Sequence, residues 1–319
     1  MVAKSKTDPD FVSCSTCKSR SIIFLPYARK NLCKKHFLHY FEKKVKRTIR
    51  EYNMLERVEH LGVAVSGGKD SLSMLYILSQ IAGPMKLKLT AILVDEGIKG
   101  YREKTIIDAR KLCEKLGVPL KIYSFKKELG LGMDQIMKKK IREVSCTYCG
   151  VFRRWILNRA ARELKCDRLA VGHNLDDVVQ SFLMNMLRNE PFRLARFGPV
   201  GGIVDDEDFV PRIRPLYKIP EKEIALYAVL HEFREDFFPC PYYEEAFRHI
   251  IRDFINDLEM RYPGTKFKML NSYDQMRNAL VSKFQYKKSE KVAKCIRCKE
   301  PSSGEVCKRC LLLEGIKKP

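Results

Sequence analysis

The sequence predicts an α/β protein built on a doubly wound, mostly parallel sheet, with a small metal knuckle at each end and a helical C-terminal region. Three observations predict it. Apolar, strand-like runs alternate with helical patterns between residues 60 and 189. A Ser-Gly-Gly-Lys-Asp-Ser turn, residues 66–71, joins the first of these strands to the first helix. Cysteine and histidine pairs with two residues between them stand near both ends: Cys14 and Cys17 with Cys33 and His36, then Cys295 and Cys298 with Cys307 and Cys310.

The elements follow in order. Residues 34–57 are helical in pattern and strongly basic. Residues 60–68 read as a buried strand running into a turn, and 71–83 as a helix. A second strand at 87–97 precedes a helix at 101–117, and a third strand lies at 119–125. A helix at 147–165 follows the pair Cys146 and Cys149. A fourth strand at 167–174 leads into a helix at 175–189. Such alternation implies right-handed crossovers and a parallel sheet covered on both faces. Residues 189–218, rich in Pro, Gly and Arg, read as a loop with a short strand at 208–216. Residues 220–290 read as helical with a break at 237–243. The expected units are a zinc finger and basic helix (1–57), a catalytic domain (58–225), a helical region (226–290) and a second zinc finger (291–319).

The chain of 319 residues is 45% hydrophobic, enough for a sizeable core. Its 61 Lys and Arg against 39 Asp and Glu leave a formal charge of +22. That surplus favours a polyanionic partner, because neutralising phosphates releases counterions. No apolar run is long enough to span a membrane, and the first residues lack the apolar stretch of a secretory leader. Twelve cysteines are therefore expected in a reducing, cytoplasmic setting, as metal ligands or reactive thiols rather than disulfides.

The turn at Ser66, Gly67, Gly68, Lys69, Asp70 and Ser71 has the chemistry of a phosphate cradle. Its glycines let backbone N–H groups close on an anion at a helix N-terminus. The two serines donate hydroxyls, Lys69 adds charge, and Asp70 can hold Mg2+ against phosphates. The spacing is not the Walker pattern. It resembles the PP-loop of N-type ATP pyrophosphatases, which cleave ATP between the α and β phosphates. Strand ends at Leu93 and at Gly172 to Asp177 fall on the same sheet edge, where ligands of open parallel sheets sit. Asp177 is a candidate second magnesium ligand or general base. His173 reads equally well as a site residue or a structural one.

Both terminal sets match tetrahedral zinc, and segments so small and polar need a metal to fold. Cys146 and Cys149 lack a nearby second pair; Cys240, between two prolines, is the nearest unassigned partner. Three thiolates suit a cluster with one open position, or a persulfide with a resolving thiol. Cys113 and Cys166 read as small buried hydrophobes.

A zinc knuckle, S-G-G-K-D-S, C-x2-C with a distant cysteine, G-H-N-L-D-D and a second knuckle, in this order, resemble the tRNA 2-thiouridine synthetases of the TtuA type. These include the archaeal and eukaryotic cytoplasmic tRNA 2-thiolation proteins. The resemblance runs from Cys14 to Cys310. It implies a Rossmann-like PP-loop fold. It also implies a 4Fe-4S cluster on Cys146, Cys149 and Cys240, whose free iron holds incoming sulfide. Asp70 and Asp177 match the acidic residues of the ATP site; Ala64, Val65, Ser66, Leu93 and Gly172 match its nucleotide-contacting backbone. Arg212 to Leu216 matches a late strand and turn. Arg153 stands where some members have Lys; it keeps the charge and can clamp phosphate, but cannot serve as a proton donor.

The activity so implied is a sulfurtransferase reaction on tRNA: ATP adenylates a uridine at its C2 oxygen, and sulfur then displaces AMP. The wobble uridine is favoured over the ribothymidine of the T-loop. The basic helix, the arginines of 188–196 and the knuckles would hold the tRNA backbone. Sulfur could come from a thiocarboxylated ubiquitin-like carrier, a persulfide or free sulfide, and the family commonly forms homodimers. The alternatives are a PP-loop enzyme acting on cytidine or another base, and a non-catalytic zinc-finger tRNA-binding subunit. The intact loop and acidic residues argue against the latter.

Overall fold

The computed structural model describes residues 12–139, 143–201, 208–233, 240–242, 247–284, 293–302 and 304–317. Residues 1–11 and most of the expected break at 237–243 lie outside these. An N-terminal hairpin, β1 (Ile23–Leu25) and β2 (Lys30–Leu32), leads into α1 (Lys34–Glu51). There follow β3 (His60–Ala64), α2 (Lys69–Met85), β4 (Lys88–Asp95), α3 (Arg102–Leu116) and β5 (Leu120–Ser124). Short helices α4 (Phe125–Leu129) and α5 (Met133–Met137) precede α6 (Ser145–Glu163), β6 (Arg168–Ala170) and α7 (Leu175–Leu187). The chain continues through α8 (Pro191–Arg196), β7 (Arg212–Ile213), α9 (Glu221–Leu230), α10 (Arg248–Arg261), α11 (Thr265–Phe284) and α12 (Lys308–Lys317).

The main sheet has the order β5-β4-β3-β6-β7, parallel throughout. The chain first winds outward from β3 through β4 to β5, then returns to β6 on the other side of β3. The order therefore reverses between β3 and β6, and that crevice is where such sheets bind ligands. Successive strand residues point to opposite faces. Ala91 and Leu93 of β4 enter the core made with α1, α2, α3 and α7, while Ile92 and Val94 enter the core made with α4, α5, α6 and α12. Burial on both faces explains why β4 is apolar at both alternating sets of positions between Lys88 and Asp95, Thr90 excepted.

The basic helix stops earlier than its pattern suggests. Tyr52 caps α1 and Asn53 turns left-handed at φ 48°, so residues 52–57 are turns. Phe37, Phe41, Val45 and Ile49 form its buried stripe, and Lys34, Lys35, Lys43, Arg47 and Arg50 face solvent. Lys44 is an exception. It turns inward against buried Glu223 of α9 at 3.2 Å and accepts no role on the basic face. Three further differences concern placement. Cys146 and Cys149 lie inside the first turns of α6 rather than before it. The loop at 189–218 contains α8, and its strand shrinks to the two residues of β7. The hairpin, α4 and α5 have patterns too short for sequence periodicity to register.

Candidate functional site

The carboxyl ends of β3, β4, β6 and β7 converge on one cleft. After β3, Ala64 and Val65 lead into the loop, with the Val65 N–H bonded to the Ile92 carbonyl at 2.9 Å. Gly67 sits at φ 78°, where an added Cβ would press into the backbone carbonyl of Thr105. The loop is held by its own serines. Ser71 Oγ accepts from the Ser66 N–H at 3.0 Å and donates to the Gly68 carbonyl at 3.0 Å. Gly172 ends its turn so close that a Cβ there would lie 3.3 Å from the Ser71 nitrogen. Leu93 is fully buried and packs its side chain in the core, so only its backbone is available to a ligand.

Asn174 joins the two loops. Its side chain caps α7 by accepting from the Asp177 N–H at 3.0 Å, and its Nδ2 donates to Asp70 Oδ1 at 2.9 Å. Asp70 and Asp177 therefore face one space from opposite sides of the crevice. Burial in the cleft pushes the Asp177 carboxyl up to about 6, against the pull of Arg248 at 3.1 Å and with help from Asp70. Lys69 bridges Asp70 at 3.0 Å and Glu221 at 2.8 Å. The neighbouring Asp176 takes a different part. It is buried, pairs with Lys266 and accepts from the Glu221 N–H at 2.7 Å, which fixes α9 and α11 to the site.

Arginines ring the same cleft. His173 opens to it, and the crowding of its walls, with Arg214, Arg153, Arg212 and Arg248, pushes the imidazole well below its ordinary value. Burial lowers Arg212 to about 9, with repulsion from Arg154 and Arg214, and lowers Arg214 to about 10, with repulsion from Arg277. So concentrated a positive field suits phosphate groups. Of these arginines, only Arg153 was a candidate from the sequence; Arg212 and Arg214 were matched there to a late strand and turn alone. Arg154 is the next residue on α6, and Arg248 arrives from a distant helix whose pattern gives no hint of it.

The cysteines divide into three sets. Zinc with sulfur ligands at about 2.3 Å sets tetrahedral sulfurs about 3.8 Å apart. Cys17 and Cys33 are 3.8 Å apart, and the His36 Nδ1 lies 3.4 Å from Cys14 and 3.3 Å from Cys33. At the other end Cys295 and Cys310 are 3.9 Å apart, and Cys298 and Cys307 are 3.5 Å apart. Burial raises the Cys14 and Cys295 thiols, but backbone N–H groups outweigh it and lower each to about 6. Both sets fit zinc. The second knuckle docks on α6, with Arg309 over the Trp155 ring at 3.7 Å and Arg162 on Glu300 at 2.6 Å.

Cys146, Cys149 and Cys240 are neighbours that influence one another's ionisation, yet they do not gather within 4.8 Å as the terminal sets do. A wider three-thiolate arrangement suits a multi-iron cluster better than a single zinc ion. Cys146 is exposed and the other two half-buried. Burial pushes Cys149 up to about 12, with Arg153 pulling the other way.

A parallel sheet with a Ser-Gly-Gly-Lys-Asp-Ser cradle at its switch point, faced by Asp177, defines a PP-loop protein. Residues 38–258 match the PP-loop domain model, and residues 13–38 match the N-terminal LIM domain of the 2-thiouridine synthetase TtuA. The chain is 34% identical to the tRNA 2-thiolation protein NcsA of Haloferax volcanii, over 96% of this chain and 99% of that one. It is also 34% identical to the tRNA-5-methyluridine(54) 2-sulfurtransferase of Pyrococcus horikoshii, over 96% and 95%. The structure of the U34-tRNA thiolase NcsA from Methanococcus maripaludis with its [4Fe-4S] cluster superposes with a TM-score of 0.79 at 36% identity, covering 95% of each chain. The protein belongs to the NcsA/TtuA family of PP-loop tRNA 2-thiolation proteins. Among the described residues, no helix is long and apolar enough to cross a membrane.

Proposed function

We propose that this protein is a cytoplasmic, ATP-dependent tRNA-uridine 2-sulfurtransferase acting on the wobble uridine. The observation that carries the reading is the meeting of three parts in one cleft: the 66–71 cradle, the acidic pair Asp70 and Asp177, and the cysteines of α6 with Cys240. Family membership supports the chemistry, and the named U34 thiolase supports the choice of uridine.

The loop N–H groups and the start of α2 bind the ATP phosphates. Asp70 and Asp177 would hold Mg2+, which supplies charge neutralisation on the phosphates. The uridine C2 oxygen attacks the α-phosphate and pyrophosphate leaves, so that the oxygen becomes part of an AMP leaving group. Sulfide then bonds to C2 and AMP departs with the oxygen. Cys146, Cys149 and Cys240 would hold a 4Fe-4S cluster, whose chemistry is to present sulfur at an open position. The chain's own work is placement and charge: the arginine ring gathers phosphates, and the cleft holds the extruded base. The exposed basic face of α1 and the arginines of α8 grip the tRNA backbone, reading shape more than sequence.

The test is an anaerobic incubation with unmodified tRNA, ATP, magnesium and sulfide, followed by nucleoside mass spectrometry and fragment mapping. A 2-thiouridine in the anticodon fragment is expected. A thiolated T-loop would overturn the choice of uridine, and release of AMP without thiolation would overturn sulfur transfer while keeping adenylation.

A further inference from the structure

Glu96 follows β4 directly and is 4% exposed, as is Arg102 at the start of α3. A buried carboxylate needs a charge partner, and here it has two. Its Oε2 meets Arg102 Nε at 2.7 Å, and its Oε1 lies 3.5 Å from Arg153 Nη1. The two arginines differ in what else holds them. Arg102 is held through both terminal nitrogens: Nη1 donates to the Ser66 carbonyl at 2.8 Å and to Thr105 Oγ1 at 3.0 Å, and Nη2 donates to the Val94 carbonyl. Arg153 is 47% exposed in the cleft, one helical turn from Cys149, whose ionisation its charge influences. The turn carrying Glu96 is itself pinned. The Glu96 carbonyl accepts from the Met133 N–H at 2.7 Å, and Gly97, at φ 71°, leaves only 3.1 Å between a would-be Cβ and Gly132 Cα.

One carboxylate thus ties the first residue of the phosphate loop, through Arg102, to the guanidinium beside the sulfur-handling cysteines. The two halves of the proposed reaction happen at these two ends. The adenylated uridine oxygen must sit where both can reach it, and a fixed distance between them is worth more than either alone. We propose that Glu96 is a positioning residue: it holds Arg153 in register with the 66–71 loop, so that the guanidinium meets the charge that develops on the α-phosphate and the departing AMP. The inference rests on the reaction proposed above. Arg102 neutralises Glu96, which leaves the charge of Arg153 free to act on the ligand.

The test is a double-mutant cycle of Glu96→Asp, Arg153→Gln and the pair, because groups acting through one another are non-additive. Glu96→Asp keeps the buried charge next to Arg102 and withdraws the carboxylate from Arg153, whereas Glu96→Gln would strand Arg102 without a counter-charge. Readouts are kcat and KM for ATP in thiolation, the affinity of cluster-free protein for a non-hydrolysable ATP analogue, and the melting temperature. Glu96→Asp should lower kcat at least about ten-fold with KM, analogue affinity and melting temperature near wild type. The double variant should be no slower than Arg153→Gln. A double variant whose loss is the product of the two single losses would overturn the proposal, as would wild-type kcat in Glu96→Asp. A drop in analogue affinity and melting temperature that accounts for the lost rate would assign Glu96 to folding alone and overturn it too. If the wild type forms no 2-thiouridine, the reaction proposed above fails, and the same cycle is read on AMP release.

Discussion

Gly67 and Gly68 are adjacent in sequence but differ in what surrounds them, and replacing each with alanine separates loop geometry from composition. At Gly67 the backbone is left-handed, φ 78°, and a methyl group would press against the Thr105 carbonyl, 2.6 Å from its carbon. The obstacle is backbone in the first turn of α3, and Thr105 is 1% exposed, so it has nowhere to move. A Cβ in that conformation costs about 1–2 kcal/mol, and forced overpacking adds about 1–3 kcal/mol. If the loop escapes by leaving its phosphate-binding shape, the lower total of about 2 kcal/mol already weakens nucleotide binding roughly 30-fold. At Gly68, φ is −87° and the nearest atom to an added Cβ is Ser66 Oγ at 3.5 Å, an ordinary contact. Gly68→Ala should therefore leave the unliganded fold within about 0.5 kcal/mol of wild type. The assay is calorimetric titration with a magnesium complex of a non-hydrolysable ATP analogue, paired with thermal melts. Binding by Gly67→Ala within two-fold of wild type, or equal melting losses in the two variants, would refute the reasoning.

Other outcomes are expected from the same geometry. Burial raises the Asp177 carboxyl from 3.8 to about 6, so the fold favours its neutral form. The cost is fully present above pH 6, is relieved as pH falls through 6, and is gone below the unfolded value near 4. Asp177→Asn should accordingly melt higher than wild type at pH 7.5, and the difference should close by about pH 4. The same variant should lose thiolation at every pH, which activity profiles would check. Cys149→Ala should abolish thiolation and lower iron content; full activity with wild-type iron would contradict the cluster assignment. Cys298→Ser with Cys307→Ser should release one of two zinc ions by metal analysis and lower the melting temperature, because α12 and its knuckle cover α6.

Much of the fold is legible in the sequence because the strands are buried on both faces. Between Lys88 and Asp95 only Thr90 interrupts an apolar stretch, and the glycines of 66–71 fit a tight turn. The short elements were legible only in part. The strands expected at 167–174 and 208–216 are present as β6 and β7 but shrink to three and two residues, and α8, with six, has too few residues for a period to emerge. Asp176 and Asp177 read as a pair in the sequence, yet one turns inward to Lys266 and the other faces the cleft, since helix neighbours point about 100° apart.

By itself, the sequence determined the local chemistry: which residues cradle an anion, which cysteines pair at zinc spacing, and that the chain carries a large positive surplus. These depend on short spacings, which covalent geometry fixes. The tertiary structure decided which distant charges share a space. Arg248 meets Asp177, Glu221 meets Lys69, and Glu96 meets Arg153 because separate segments of the chain arrive at one edge of a sheet whose strand order reverses between β3 and β6. That reversal opens a crevice, and residues tens of positions apart are brought to its edge by packing that no local pattern encodes.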